Sequence, residues 1–98
     1  MTRVVILPRV DLDLERILEH LLLHETLDSE QRIEDIVAAL NVLMTNPMIG
    51  RPAEGGFREL VIGRDHRGYL ALYAYDPRSD EAVILAIRSQ KESGYPSL

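Results

Sequence analysis

FRELVIGRDHRGYLALYAYDPRSDEAVILAIR, residues 57–88, contains three short apolar segments separated by two polar stretches. The apolar segments are FRELVI, YLALYAY and AVILAIR, and each has a length typical of a β-strand. The stretches between them, GRDHRG and DPRSD, carry Gly, Pro and Asp residues that favour turns. The pattern therefore predicts a β-meander of three strands, followed by a short polar tail, SQKESGYPSL.

Alternation along these segments predicts a sheet with two different faces. In the middle strand, Leu70 and Leu72 fall on one face, whereas Tyr69, Tyr73 and Tyr75 fall on the other. We expect one face to pack on helices and the opposite face to carry the tyrosines and alanines. The propensity of aromatic residues favours tyrosines that pack against a neighbouring strand or loop, and stacking on a nucleic-acid base is the alternative.

Two helices are predicted before the meander. Apolar residues recur at helical spacing first at Val10, Leu14, Ile17, Leu18 and Leu21, and then at Ile33, Ile36, Val37, Leu40, Leu43 and Met44. Helices joined by so few residues should lie antiparallel as a hairpin. Asp28 or Ser29 is expected to cap the second helix, which should end near Thr45 because Asn46 precedes Pro47.

A β-branched run lies near the N-terminus. Residues 3–7, RVVIL, indicate a strand that stops at Pro8, because proline cannot donate to a hydrogen-bonded ladder. No hairpin partner is near, so this strand should pair with the C-terminal strands. The predicted fold class is α+β, in which the N-terminal strand joins a small, mostly antiparallel sheet and the helical hairpin packs on one face. Ninety-eight residues suit a single domain, residues 1–98.

Two groups of apolar residues bear on binding. Leu12 and Leu23 fall on the outer side of the first helix, either as isolated exposed residues or as a surface for a partner helix or for self-association. The connection at residues 46–56, NPMIGRPAEGG, should be ordered because Met48 and Ile49 offer apolar anchors. Its glycines do not form a nucleotide-binding pattern, so no cofactor is expected.

Composition limits the setting and the partners. No apolar run approaches the roughly eighteen residues that a membrane span requires, and the N-terminus lacks signal-peptide features. With no cysteine, a cytoplasmic protein is expected. Residues 1–50 hold four Arg against nine acidic residues, which accounts for the whole net charge of −5. An acidic, solvated helical surface is the simpler interpretation, and arginines of the sheet half that are available to an anionic partner are the alternative.

Histidines provide little evidence for a metal site or for catalysis. His20 and His24 lie four residues apart on a predicted helix, but no third ligand accompanies them, and no metal is expected. His66 lies in a turn, where an exposed polar residue is more typical than a positioned acid–base catalyst.

One set of polar residues could act together. The set consists of Arg58, Arg64, Arg67, Arg88, Lys91 and Tyr95. Arginines on a sheet could stabilise charge in a phosphodiester transition state, while a tyrosine or lysine moves a proton. The alternative is that these residues occupy solvated strand ends and form salt bridges to Glu59, Asp65 or Glu92. On this basis Arg58, Arg88, Lys91 and Tyr95 are the candidate catalytic residues.

The whole pattern resembles the RelE/ParE superfamily of toxins from type II toxin–antitoxin modules. The resemblance covers nearly the full chain and is carried by Pro47, Ile49, Gly50 and Arg51 in the loop, by Arg58-Glu59-Leu60, by the aromatic strand ending at Tyr73, and by Arg88 with Gly94-Tyr95. It implies a small cytoplasmic toxin neutralised by a cognate antitoxin, whose C-terminal segment would wrap the toxin with a helix and an added strand. The toxin could form a homodimer or a hetero-oligomer with this antitoxin.

The superfamily implies two activities. RelE-like members cleave mRNA in the ribosomal A site without metal, using lysines, arginines and a C-terminal tyrosine. ParE-like members, which stabilise plasmids, lack that set and poison DNA gyrase. Arg58, Arg88 and Tyr95 match part of the ribonuclease set, but Lys91 is the one lysine in the chain. We therefore favour a non-enzymatic toxin that binds gyrase; a ribosome-dependent mRNA endonuclease, or a degenerate toxin that binds only its antitoxin, is the alternative.

Overall fold

A computed structural model describes residues 1–24, 26–63 and 67–98. Its elements are β1 (Arg3–Ile6), α1 (Val10–Leu23), α2 (Ser29–Ala39), a 3-10 turn (Leu40–Met44), β2 (Arg51–Pro52), a second 3-10 turn (Glu54–Gly56), β3 (Arg58–Ile62), β4 (Tyr69–Asp76) and β5 (Glu81–Ser89). Within these ranges the strands form one sheet in the order β1-β5-β4-β3-β2, antiparallel except for β1 on β5. The α+β class and the C-terminal meander are confirmed. No helix in the described ranges is long and apolar enough to cross a membrane.

The N-terminal strand pairs with the end of the chain, as predicted. Val4 lies beside Ala82 and Ile6 beside Ile84 in the parallel β1–β5 ladder. The Leu7 amide extends the pairing by donating to the Ile84 carbonyl at 3.2 Å. β1 stops there, so among the described residues the second half of β5 has no neighbouring strand on that side.

The helices cover the sheet face that carries the tyrosines, which is the reverse of the prediction. Tyr73 is fully buried and belongs to the same core as Ile36 and Leu40. Packing, rather than base stacking, is therefore the role of this tyrosine. Leu72 is buried on the opposite face, where its neighbour across the ladder is Glu59.

A β-bulge in β5 alters the alternation of its side chains. Leu72 pairs with Ala86 but the next residue, Tyr73, pairs with Ile84, so Leu85 is the extra residue. Simple alternation places Ile84 and Ile87 on opposite faces, whereas both lie in the core beneath the helices. Ile87 therefore lies on the helix-covered face, unlike in strict alternation, because the bulge shifts every later side chain by one position.

The helical hairpin follows the predicted apolar stripes, and its core residues are Val10, Ile17, Leu21, Ile36, Leu40 and Leu43. The second helix ends as a 3-10 turn at Met44, next to the predicted boundary. The predicted cap is absent: Asp28 has a left-handed backbone with φ of 57° and makes no capping hydrogen bond. A capping residue needs an extended backbone. Ser29 instead donates to the Thr26 carbonyl at 2.7 Å.

Candidate functional site

The structure does not bring the four predicted catalytic residues together at one site. Arg58 pairs with Tyr73, and Arg88 pairs with Leu70, across the two edges of β4. Because Tyr73 and Leu70 are three positions apart on one strand, the two arginines project from opposite faces of the sheet. Two guanidinium groups placed in this way do not converge on a single phosphodiester.

Arg88 and Tyr95 do lie together. The guanidinium carbon of Arg88 is 5.1 Å from the centroid of the Tyr95 ring, within range of a cation–π contact. Arg88 Nη1 also donates to the carbonyls of Ser89 and Glu92. Arg88 Nε is buried without a hydrogen-bond partner among the described residues. The Arg88 side chain therefore holds the polar tail against the sheet.

Glu59 fixes the other end of this cluster. Its carboxylate accepts the Tyr95 hydroxyl at 2.6 Å and Arg51 Nε at 3.2 Å, and its side chain is 16% exposed. Burial, and then the hydrogen bond and charge of Glu59, raise the pKa of Tyr95 well above its usual value, although Arg88 opposes the shift. A phenol held protonated in this way is a poor general base.

Arg58 locks the loop before β2. Its Nη1 donates to the Gly50 carbonyl at 2.8 Å and to the Met48 carbonyl at 3.3 Å. From the same side, the Tyr73 hydroxyl donates to the Pro47 carbonyl at 2.8 Å and accepts the Gly50 amide at 2.9 Å. A β-carbon at Gly50 would lie 2.6 Å from Tyr73 ring and hydroxyl atoms, so glycine is required by this close approach.

The locked loop presents apolar side chains to solvent. Met48 and Ile49 are each 55% exposed. The prediction that they anchor the loop was wrong, because Tyr73 and Arg58 hold the backbone through polar contacts instead. Exposed apolar side chains on a backbone held in this way can contribute to a protein-binding surface.

Asp13 is a buried structural residue whose role the sequence pattern did not predict. It is completely buried on α1, and its carboxylate accepts the Ile87 amide at 2.9 Å, Arg16 Nη1 at 2.6 Å and the Ser97 hydroxyl at 3.0 Å. Arg16 in turn donates to the Ile87 carbonyl at 3.1 Å and to Glu92. Beyond the end of β1, Asp13 and Arg16 thus satisfy the backbone amide and carbonyl of Ile87 that a neighbouring strand would otherwise bind. Their contacts with Ser97 and Glu92 also connect the tail to α1.

Within the described residues, the Lys91 side chain makes no hydrogen bond with Arg88 or Tyr95 and no salt bridge with Glu59. It is exposed at the edge of a groove of about 430 Å³ between α1 and the ends of β4 and β5. The rings of His20 and His24 are 4.2 Å apart near this groove. The described residues contain no group of three or more His, Cys, Asp or Glu that could hold a metal ion. Arg64 and His66 lie outside the described residues.

Comparisons with known proteins agree with this architecture. A family model described as "ParE toxin of type II toxin-antitoxin system, parDE" matches residues 4–94. The chain is also similar to a solved structure titled "Chromosomal ParDE TA system from P. aeruginosa", with 26% sequence identity and a TM-score of 0.72. That similarity covers 91% of this chain and 96% of the other. No curated protein matches the chain.

Proposed function

This chain belongs to the ParE toxin family of type II toxin–antitoxin systems, and from that membership we propose that it arrests growth by binding DNA gyrase in the cytoplasm and is neutralised by a cognate antitoxin. Gyrase is favoured over the ribosome as the target because three of the candidate catalytic side chains are engaged in contacts within the protein. Arg58 holds a loop, Arg88 holds the tail, and Tyr95 is bonded to Glu59. Side chains committed to internal contacts are poorly placed to cleave RNA.

The geometric requirements of a ribonuclease site also favour gyrase as the target. Metal-independent cleavage of a phosphodiester needs a proton acceptor and cationic groups around one phosphate. Here the arginines on β3 and β5 face opposite sides of the sheet, and the pKa of Tyr95 is raised rather than lowered. A gyrase-binding toxin needs only a surface, and Met48 and Ile49 on the locked loop are our candidate contacts.

The decisive experiment measures both targets with the same purified protein. We expect inhibition of gyrase supercoiling in vitro and, after induction in cells, a DNA damage response that precedes any fall in translation. Growth arrest with unaffected gyrase would overturn the proposal, and cleavage of mRNA in the ribosomal A site would replace it with the endonuclease. Expression without a growth defect would indicate a degenerate toxin.

Neutralisation is tested separately. We expect co-expression of the neighbouring antitoxin gene to restore growth, and the two proteins to co-purify as one complex. Continued growth arrest in the presence of stoichiometric antitoxin would contradict this part of the proposal.

A further inference from the structure

A groove between α1 and the ends of β4 and β5 carries positive charge on an acidic protein. Its deeper part, of about 430 Å³, contains Lys91 and Arg16. It continues into a shallower part of about 380 Å³ that contains Arg32 and Arg67. His20, Tyr69, Ser89 and Lys91 line both parts, so the two form one continuous site.

Among the described residues that line the groove, cationic side chains outnumber carboxylates, although Arg16 is itself paired with Asp13 and Glu92. Glu92 is the one carboxylate among the described residues that line it, and Arg16 Nε binds it at 3.0 Å while the Ser89 amide donates to it at 2.9 Å. Within the described part of the chain, Arg32 and Lys91 form no salt bridge. The whole protein has a net charge of −5, so this cationic groove has the opposite sign to the protein as a whole.

The walls of the groove are apolar. Ile17 and Leu21 contribute from α1, and the ring of Tyr69 contributes from β4. Burial raises the pKa of the Tyr69 hydroxyl, and the charge of Arg32 acts in the opposite direction. A ligand that fits this lining must combine negative charge with apolar surface.

We infer that the groove binds an acidic segment of the antitoxin, in which Asp or Glu side chains lie beside apolar ones. This inference rests on the proposed function, because it takes the antitoxin as the partner. A nucleic acid is a poorer fit, since α1 and α2 carry exposed carboxylates outside the groove, at Asp11, Glu15, Glu19, Glu30, Glu34 and Asp35. These charges would repel a polyanion longer than the groove, whereas a short acidic peptide avoids them.

Charge reversal tests the inference directly. Dissociation constants for the purified antitoxin are compared among wild type, Arg32→Glu, Lys91→Glu and Lys91→Arg. Arg78→Glu, in the exposed turn before β5, is the matched control. We expect each groove reversal to weaken binding by about five- to thirtyfold, while Lys91→Arg and Arg78→Glu remain close to wild type. Thermal unfolding of each variant verifies that the fold is retained.

A second measurement uses synthetic peptides that span the acidic stretches of the antitoxin. Binding to wild-type toxin should weaken with added NaCl, and replacement of Asp and Glu by Asn and Gln should abolish it. Equal affinity of wild type and both folded reversals would overturn the inference, as would salt-independent binding. Growth arrest and antitoxin binding by the wild-type protein are measured in parallel. If both are present while the groove variants bind like wild type, the groove inference fails but the proposed function does not.

Discussion

The Tyr95 hydroxyl donates a 2.6 Å hydrogen bond to Glu59, which lies 36 residues earlier in the chain on β3. The contact fastens the C-terminal tail to the sheet face that the helices leave uncovered. Arg88 covers the Tyr95 ring and binds the backbone of the tail, so three side chains form one latch. A residue that resembles a catalytic tyrosine by its place in the sequence is thus a structural residue here.

Tyr95→Phe should lower the free energy of unfolding by about 1 kcal/mol, because it removes a hydrogen bond to a carboxylate that keeps its contact with Arg51. Growth arrest should persist, since the tyrosine does no chemistry in a gyrase-binding toxin. Urea denaturation and an induced growth assay measure the two effects. Tyr69→Phe is the stability control, because the described residues provide no hydrogen-bond partner for its hydroxyl. Complete loss of toxicity in a folded Tyr95→Phe would instead support a ribonuclease.

The raised pKa of Tyr95 predicts a specific pH dependence. In the unfolded chain the phenol loses its proton near pH 10, whereas the folded protein retains it to higher pH. Above pH 10 the unfolded state therefore binds fewer protons than the folded state, and the free energy of unfolding should fall as the pH rises. Below pH 10 the contribution of Tyr95 to the free energy of unfolding should stay constant. Melting temperatures between pH 8 and 11 should show a steeper decline for wild type than for Tyr95→Phe. Parallel curves would contradict the prediction.

The sequence predicts the strands and helices well because each depends on local periodicity. It does not show which sheet face meets the helices. Alternation separates Leu70 from Tyr73, but the hydroxyl of the buried Tyr73 has its hydrogen-bond partners at Pro47 and Gly50, more than twenty residues away. The bulge at Leu85 has no glycine or proline to mark it, so the position of Ile87 could not be read from the pattern.

In the candidate site, too, contacts between residues close in the sequence are easier to predict than contacts between distant ones. The closeness of Arg88 and Tyr95 is easy to expect, because only six residues separate them along the chain. The buried role of Asp13 is not, because an acidic residue in the first turn of a helix is ordinarily an exposed partner of the helix dipole. Its main partner, the Ile87 amide, lies 74 residues later, and only the short length of β1 leaves that amide available.

Asp13→Ala should be the most destabilising of these substitutions, at about 3 kcal/mol. It leaves the Ile87 amide without its acceptor and removes one of the two carboxylates that pair with Arg16. Asp11→Ala, an exposed carboxylate in the same helical turn, should change stability by less than about 0.5 kcal/mol. Chemical denaturation of the two variants compares them directly. Similar values for both would show that the Asp13 network contributes little.

Gly50→Ala should destabilise the protein by about 2 kcal/mol, because the new methyl group would overlap the Tyr73 ring and hydroxyl and lie 2.9 Å from the Glu59 carbonyl. Gly94→Ala is the control, since nothing lies within 4 Å of a β-carbon built there. Thermal unfolding measures both variants. A wild-type melting temperature for Gly50→Ala would mean that the loop is not locked by Tyr73.

Ile49→Asp should separate folding from target binding. The side chain is 55% exposed and lies outside the core, so stability should change by less than about 0.5 kcal/mol. If the locked loop contacts gyrase, a carboxylate in place of an apolar anchor should raise the concentration needed to inhibit supercoiling by about tenfold. Leu27→Asp, which replaces a leucine that is 85% exposed at the end of the helical hairpin, is the matched control and should inhibit like wild type. Unchanged inhibition by a folded Ile49→Asp would place the gyrase contact on another surface, because an apolar anchor cannot be replaced by a charge without loss of affinity.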